Sequence, residues 1–171
     1  MTEIALIGID WGNTGFRAWV FDPSGEAVSA YAAQDGVALS DQDPWIRLAD
    51  HFESWGGAWP DVPIIVCGAA GGEMGLEDVG YLERLPRGGE IRSVERDGRV
   101  VHIVPGVKQG FPPDTMRGEE TLLVGLERPD GLVCLPGTHV KHVECDNGEV
   151  VWSKTSMVGE MRAMLLDRST L

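Results

Sequence analysis

Near its start this chain reads Ile4-Ala-Leu-Ile-Gly-Ile-Asp-Trp-Gly-Asn-Thr-Gly-Phe-Arg-Ala-Trp-Val-Phe21, the stretch from which its first fold element can be inferred. Its apolar run over residues 4–9 predicts a β-strand, its small residues over 10–15 predict a turn, and residues 16–21 predict a second strand. A tight turn at Pro23-Ser-Gly25 then leads into a strand-like stretch over residues 26–32. The sequence therefore predicts an antiparallel meander of three strands.

The same pattern recurs later in the chain. Leu132-Val-Cys-Leu135 is followed by the turn Pro136-Gly-Thr-His139, a strand over 140–145, the turn Asn147-Gly148 and a strand over 149–153. A Gly/Thr turn between two strands can offer backbone N–H groups and a hydroxyl to a phosphate. Two such turns that face one another would clasp a nucleotide; the alternative is a pair of unrelated hairpins.

The rest of the chain mixes helical and strand patterns, which predicts an α/β fold. Helices are predicted over 44–55, 118–126 and 158–166, and strands over 63–68 and 100–104, whereas residues 80–99 read as irregular. Pro112-Pro113-Asp114 marks the best boundary, because two prolines cannot continue regular structure. We therefore expect one domain over 1–112 and the beginning of a second over 113–171.

An interrupted second domain has a consequence for the surface. We expect apolar side chains around Met157, Met161 and Leu165 to be exposed. Two chains would pair naturally there, so a homodimer is the predicted assembly.

Composition narrows the class of protein. The net charge of −13 argues against nucleic-acid partners, which require a basic face. No apolar run approaches the roughly 18 residues that a membrane-spanning helix needs, and the first strand leaves no room for a signal peptide. Three scattered cysteines fit reduced thiols and show no metal-ligand spacing. We expect a cytoplasmic protein without a membrane partner.

Asp10 is the first candidate site residue, because the apolar strand delivers its carboxylate to the start of a turn. Beside Gly12, Asn13 and Thr14, this carboxylate could hold Mg²⁺ through water while the turn binds phosphate. Arg17, on the next strand, could point at the same phosphates or at an acidic substrate. The alternative is an aspartate that caps its own loop.

Met116-Arg-Gly-Glu-Glu-Thr121 forms the second candidate cluster. Adjacent Glu119 and Glu120 beside Arg117 suit a general base that takes a proton from a sugar hydroxyl. Acidic pairs are also common at helix starts, where they interact with the helix dipole and have no catalytic role.

The third cluster combines the turn at Gly137 and Thr138 with Lys141. Thr138 could contact phosphate, and Lys141 could neutralise phosphate or a substrate carboxylate. The chain lacks the Walker lysine pattern, which excludes a P-loop. The glycine-rich stretch over 68–75 does not have the spacing of a dinucleotide-binding loop.

Together these clusters resemble the 2-dehydro-3-deoxygalactonokinase family, sugar-acid kinases of the actin and hexokinase type. The matching segments are Asp10 to Trp19, Val66-Cys-Gly68, Val104-Pro-Gly106, Met116 to Thr121, Leu132 to His139 with Lys141, and Gly159-Glu160. Leu-Pro-Gly-Thr-His-x-Lys is the most diagnostic of them.

The resemblance implies a ribonuclease-H-like fold of the actin-like ATPase type, with ATP and Mg²⁺ in a cleft. It implies phosphorylation of 2-dehydro-3-deoxy-D-galactonate on its C6 hydroxyl. The site residues carried over are a first phosphate loop (Asp10, Gly12, Asn13, Thr14), a second one (Gly137, Thr138), a base (Glu119 or Glu120), and substrate contacts (Arg17, Arg117, Lys141). Family members are longer than this chain, so the alternative is a non-catalytic module that binds a sugar acid or associates with another chain.

Overall fold

The computed structural model describes residues 3–86, 89–127 and 130–168. Within these ranges the chain forms a mixed α/β structure with two compact units. Unit 1 comprises Met1–Gly80 with Pro86–Gly106, and unit 2 comprises Tyr81–Leu85 with Val107–Leu171. The predicted boundary between residues 112 and 113 lies in a turn of unit 2, and the two predicted domains stay a prediction.

In chain order the described strands and α-helices are β1 (Leu6–Trp11), β2 (Phe16–Phe21), β3 (Ala27–Ala33), α1 (Pro44–Trp55), β4 (Ile64–Cys67), β5 (Tyr81–Leu82), β6 (Arg92–Arg96), β7 (Arg99–Ile103), β8 (Gly106–Gln109), β9 (Asp114–Met116), α2 (Glu119–Gly125), β10 (Gly131–Leu135), β11 (Val140–Asp146), β12 (Glu149–Ser156) and α3 (Val158–Arg168).

Unit 1 is built on a six-stranded sheet in the order β3-β2-β1-β4-β7-β6. The first three strands form the predicted antiparallel meander, while β4 pairs parallel to β1 and β7 pairs parallel to β4. Parallel strands are normally covered on both faces, and three of the four β4 residues are accordingly buried. One apolar cluster joins this sheet to α1 through Trp45, Leu48 and Phe52.

The prediction for α1 is confirmed at both ends, whereas two other predictions, for the end of the first strand and for residues 80–99, were wrong. The first strand extends to Trp11, so Asp10 lies inside β1 and faces Arg17 of β2 in the ladder. Residues 80–99 are not uniformly irregular, because they contain β5 and β6. β6 is a sheet edge with four exposed side chains, and such a strand lacks the apolar alternation that sequence patterns detect.

Unit 2 contains two three-stranded sheets, in the orders β10-β11-β12 and β5-β8-β9. The first is the second meander that the sequence predicts, with every pair antiparallel. The second sheet is not foreseen, because its strands are only two to four residues long. Its core side chains form one cluster with those of the meander and α2: Leu85, Val107, Met116, Leu123, Leu135, Val143 and Cys145.

The last described element, α3, exposes its apolar side chains. Met157, Met161 and Leu165 are 54%, 58% and 63% exposed, as the sequence analysis expects. None of the helices in the described part of the chain has the length and apolar character that spanning a membrane requires.

Candidate active site

The turn between β1 and β2 is closed by a hydrogen bond from the Gly12 N–H to the Gly15 carbonyl, at 2.9 Å. Asn13 and Thr14, at its tip, are exposed. An open cavity of about 370 Å³ adjoins the turn and is lined by Gly12, Thr14, Gly15, Phe16, Arg17, Ala32, Ala33 and Gln34. The structure thus brings the Thr14 hydroxyl and the Arg17 side chain to the same cavity.

Asp10 and Arg17 form an ion pair next to this turn. The Arg17 Nη2 donates to the Asp10 Oδ2 at 2.5 Å, and the two side chains are 27% and 63% exposed for Asp10 and Arg17. Because the residues are opposite one another in the ladder, backbone pairing holds their side chains together. A ligand bound at this turn would therefore contact a carboxylate and a guanidinium that are already paired with one another.

A segment that the sequence analysis missed, residues 35–38, lies directly against the turn. The Val37 N–H donates to the Gly12 carbonyl at 2.9 Å, and the Ala38 N–H donates to the Asn13 carbonyl at 3.2 Å. Gly36 touches the turn so closely that a Cβ atom there would overlap the Asn13 carbonyl and the Thr14 nitrogen. Only glycine fits this contact.

Arg47 of α1 holds that segment from inside unit 1. Its buried guanidinium donates to the carbonyls of Gly36 (2.7 Å) and Val37 (3.2 Å) and to both carboxylate oxygens of Asp35. Partial burial tends to raise the pKa of Asp35, but the hydrogen bonds and charge of Arg47 outweigh it and hold that pKa below its ordinary value. Asp35 is therefore ionised and anchors the segment.

His51, one helical turn after Arg47, completes this network. Its Nε2 lies 2.8 Å from the Asp35 Oδ2, its Nδ1 lies 3.3 Å from the Tyr31 hydroxyl, and its ring stacks on Phe16 at 4.0 Å. Burial lowers the pKa of His51 despite the nearby Asp35. The i, i+4 spacing of Arg47 and His51 was the available sequence signal, since it places both on one side of α1.

Glu119 and Glu120 begin α2, as predicted, but their environments differ. Both Glu120 oxygens accept from the Gly118 N–H, at 2.8 and 2.7 Å, and the side chain is fully buried. Burial raises the pKa of Glu120 to about 7. Glu119 is half-buried and accepts from the Arg117 N–H at 2.9 Å, so it is the carboxylate that solvent and ligands can reach.

Arg117 lies beside the same turn and is held by an aromatic ring. Its guanidinium carbon is 4.2 Å from the centre of the Tyr81 ring, a cation–π contact that orients the side chain. The short strand β5 supplies this ring, which explains why sequence patterns over residues 80–99 gave no indication of it.

The second Gly/Thr turn, over residues 136–139, is exposed and rests on the start of α3. The Glu160 N–H donates to the Thr138 carbonyl at 2.9 Å, and the Glu160 Oε2 lies 3.1 Å from the His139 Nε2. A Cβ on Gly159 would overlap the Gly137 carbonyl oxygen. Glycine at position 159 thus lets helix and turn approach one another.

Lys141 is buried, whereas the two Gly/Thr turns are exposed to solvent. It is 7% exposed, and its Nζ donates to the Thr115 carbonyl and to the Thr155 Oγ1. Across residues 3–86, 89–127 and 130–168, no three His, Cys, Asp or Glu side chains form a cluster that could hold a metal ion.

Comparison with known proteins identifies the family. The model of the 2-keto-3-deoxy-galactonokinase family matches residues 10–171. The chain belongs to this family. Membership in the 2-keto-3-deoxy-galactonokinase family confirms the resemblance that the motifs indicated.

Two curated relatives match this chain over most of its length. "Probable 2-dehydro-3-deoxygalactonokinase DgoK1" of Rhizobium meliloti (strain 1021) is 33% identical over 166 residues, which cover 90% of this chain and 53% of the relative. The "2-dehydro-3-deoxygalactonokinase" of Escherichia coli (strain K12) is 31% identical over 175 residues, which cover 96% of this chain and 58% of the relative. The chain therefore spans about half the length of these relatives.

A solved structure of the family has the same fold. The crystal structure of a "putative 2-dehydro-3-deoxygalactonokinase protein" from Sinorhizobium meliloti superimposes with a TM-score of 0.82 at 30% sequence identity. The match covers 97% of this chain and 57% of the solved one.

Proposed function

We propose that this chain carries the first phosphate loop, the catalytic base and the second phosphate loop of an ATP-dependent sugar-acid kinase. The reaction is transfer of the γ-phosphoryl group of ATP to the C6 hydroxyl of 2-dehydro-3-deoxy-D-galactonate. The observation that carries the proposal is the pair of exposed Gly/Thr turns in a chain of the 2-keto-3-deoxy-galactonokinase family. The names of the curated relatives support the same reaction.

The strand order of unit 1 supports a ribonuclease-H-like fold of the actin-like ATPase type. In this sheet the antiparallel strands β3, β2 and β1 are followed by β4 and β7, which pair parallel to β1 and to β4. The turn between β1 and β2 then serves as the first phosphate loop, and the turn before β11 serves as the second.

The first turn suits a triphosphate and its metal ion. Gly12, Asn13 and Thr14 offer backbone N–H groups and an exposed hydroxyl beside an open cavity. Asp10 would hold Mg²⁺ through water, because Mg²⁺ at phosphate sites keeps several waters and needs only one or two carboxylates. Bound Mg²⁺ would neutralise charge on the transferred phosphoryl group. Gly137 and Thr138 would contact the phosphates from the second turn.

Glu119 is the proposed general base, and Glu120 supports it. A base must reach the substrate hydroxyl directly or through one water, which the half-buried Glu119 can do and the fully buried Glu120 cannot. Glu120 instead fixes the backbone of Gly118, immediately before the base.

The sugar acid carries a carboxylate, so cations are expected near it. Arg17 lines the cavity at the first turn, and Arg117 stacks on Tyr81 beside the proposed base. Both are proposed substrate contacts. A substrate contact by Lys141 stays a prediction, and an alternative role for this residue is argued in the next subsection.

The test is phosphoryl transfer by a chimera in which this chain replaces the matching half of the Rhizobium meliloti relative. With ATP, Mg²⁺ and 2-dehydro-3-deoxygalactonate, mass spectrometry should detect the 6-phosphate. A folded chimera that makes no product, assayed beside an active relative, would contradict the proposal.

A second candidate is a module that binds a sugar acid or pairs with another chain without catalysis. The exposed apolar side chains of α3 favour it, since they leave a surface on which two chains could form a homodimer. Sedimentation equilibrium should then show a dimer that Leu165→Glu dissociates. A monomer that binds ATP tightly by calorimetry would favour the kinase instead.

A further inference from the structure

We propose that Lys141 is a positioning residue that fixes the turn Arg117–Glu120, and that it contacts neither the sugar acid nor phosphate. The inference rests on the proposed function, because the turn it positions carries the proposed base. It concerns unit 2 alone.

Lys141 offers little accessible surface to a ligand in this arrangement. Its backbone lies on the central strand β11, with Leu135 of β10 on one side and Thr155 of β12 on the other. An ammonium group has three donors, and two of them are directed at the Thr115 carbonyl and the Thr155 Oγ1. The side chain is 8% exposed, so a substrate carboxylate could not reach the nitrogen without displacing the protein groups around it.

The positive charge of Lys141 is balanced inside the protein. The Asp114 Oδ1 lies 4.0 Å from the Lys141 Nζ, and the Asp114 side chain is 12% exposed. Asp114 also accepts hydrogen bonds from the hydroxyls of Thr155 (2.5 Å) and Ser153 (3.0 Å). A largely buried cation that already donates two hydrogen bonds and lies beside a carboxylate is a fixed structural link, and it is a poor ligand for a second anion.

The link holds a strand that would otherwise be weakly attached. β9 has three residues, and its ladder with β8 pairs Asp114, Thr115 and Met116 with Gln109, Lys108 and Val107. β9 is an edge strand of the sheet β5-β8-β9, and a ladder of three residue pairs has little stability of its own. Lys141 adds a bond to the β9 backbone at Thr115, and the hydroxyls of β12 bond to Asp114, so side chains join β9 to the meander.

The position of β9 sets the position of the proposed base. Only Met116, which is buried, separates Thr115 from Arg117. The Arg117 N–H then bonds to the Glu119 carboxylate, and the Gly118 N–H bonds to that of Glu120. A displacement of Thr115 would therefore shift the backbone N–H groups that hold the Glu119 and Glu120 carboxylates, and with them the carboxylates. Misplacement of a catalytic group by about 1 Å can cost about 100-fold in rate.

The first experiment uses the 171-residue chain without any ligand. Lys141→Met removes the charge and both hydrogen bonds of the ammonium group. Lys154→Met is the same substitution at an exposed position on β12 and serves as the control. The carboxyl carbon of Glu120 is titrated by NMR in each. We expect the titration midpoint to fall by about one pH unit or more in Lys141→Met, because a released turn lets water reach Glu120. Lys154→Met should titrate like the parent.

Thr155→Val provides a milder variant in case Lys141→Met does not fold. It removes one acceptor of the ammonium and one donor to Asp114 while it keeps the charges. A lowered Glu120 midpoint in Thr155→Val supports the proposal, and an unchanged midpoint in every folded variant overturns it.

The second experiment separates positioning from substrate binding in the chimera described above. If Lys141 positions the base, Lys141→Met lowers kcat by about 10- to 100-fold and changes the KM for the sugar acid by less than about 3-fold. If Lys141 binds the sugar acid, KM rises by about 10-fold or more while kcat is kept, and the proposal is overturned. An inactive parent chimera would contradict the proposed kinase function, whereas the Glu120 titration would still decide the role of Lys141.

Discussion

Arg47 and Asp35 form a bidentate ion pair in which the Arg47 guanidinium is buried and both Asp35 oxygens accept hydrogen bonds from it. The same guanidinium donates to the carbonyls of Gly36 and Val37, which lie under the turn between β1 and β2. This ion pair thus fixes the segment on which the proposed first phosphate loop packs.

Arg47→Met should lower the free energy of unfolding by about 3 kcal/mol, because it removes the buried guanidinium that pairs with Asp35 and donates to the Gly36 and Val37 carbonyls. Arg96→Met is the matched control. Arg96 pairs with Asp43 at 2.6 Å, but its side chain is 48% exposed and that of Asp43 is 32% exposed, so loss of this pair should cost less than about 1 kcal/mol. Urea unfolding followed by tryptophan fluorescence measures both, since five of the six tryptophans lie in unit 1. Equal losses in the two variants would show that burial of Arg47 adds nothing.

Gly36→Ala should distort the first turn. The new Cβ would overlap the Asn13 carbonyl, so the segment or the turn must move, at a cost of about 3 kcal/mol. Hydrogen exchange at the Val37 and Ala38 amides, which bond to the turn, should accelerate strongly. Gly56→Ala is the control, because its Cβ would lie 3.8 Å from the nearest atom. Unchanged exchange at Val37 in the Gly36 variant would contradict the contact.

Glu120→Gln should change how stability depends on pH. The pKa of Glu120 is raised from 4.5 to about 7 in the folded chain by burial, so the folded state keeps a proton that the unfolded state releases between these values. Stability therefore falls as pH rises from about 4.5 to about 7, by up to roughly 3 kcal/mol. Glutamine cannot ionise, so the variant should gain stability relative to the parent over this range.

Urea unfolding at pH 5 and pH 7.5, followed by circular dichroism, compares Glu120→Gln with Glu144→Gln, an exposed carboxylate on β11. The Glu144 variant should follow the parent at both pH values. If Glu120→Gln also follows the parent, the carboxyl is not protonated in the folded chain near neutral pH.

Asp10→Asn and Glu119→Gln should each lower turnover of the chimera by about 100-fold or more, because one loses the proposed metal carboxylate and the other the proposed base. Asp50→Asn and Glu144→Gln remove exposed carboxylates elsewhere and should leave turnover unchanged. Circular dichroism verifies that each variant folds. Normal turnover in Asp10→Asn or Glu119→Gln would show that its role is misassigned.

Local patterns sufficed for several elements. The helix over 44–55 begins with Asp43, whose carboxylate accepts from the Trp45 N–H at 2.8 Å, and with Pro44 at the first helical position. Both are sequence signals of a helix start. β2 likewise has the predicted bounds, because the glycine turn before it and the turn Pro23-Ser-Gly25 after it are local features.

Features that depend on partners distant in sequence were not predictable in this way. The sequence predicts a turn that begins at Asp10, but pairing with Arg17 extends β1 past it. Tyr81 stands far from Arg117 in the sequence, and the short strands β5, β8 and β9 have too few residues for a periodic signal.

The family, the two meanders and the residues at the Gly/Thr turns follow from the amino-acid sequence, because they depend on short motifs and on runs of single-strand length. Which charged side chains are buried follows only from the folded arrangement. Arg47, Glu120 and Lys141 look like surface residues in the sequence, yet each is enclosed by hydrogen-bonding groups from other segments. Burial of a charge depends on partners brought together by the fold, and no local pattern records them.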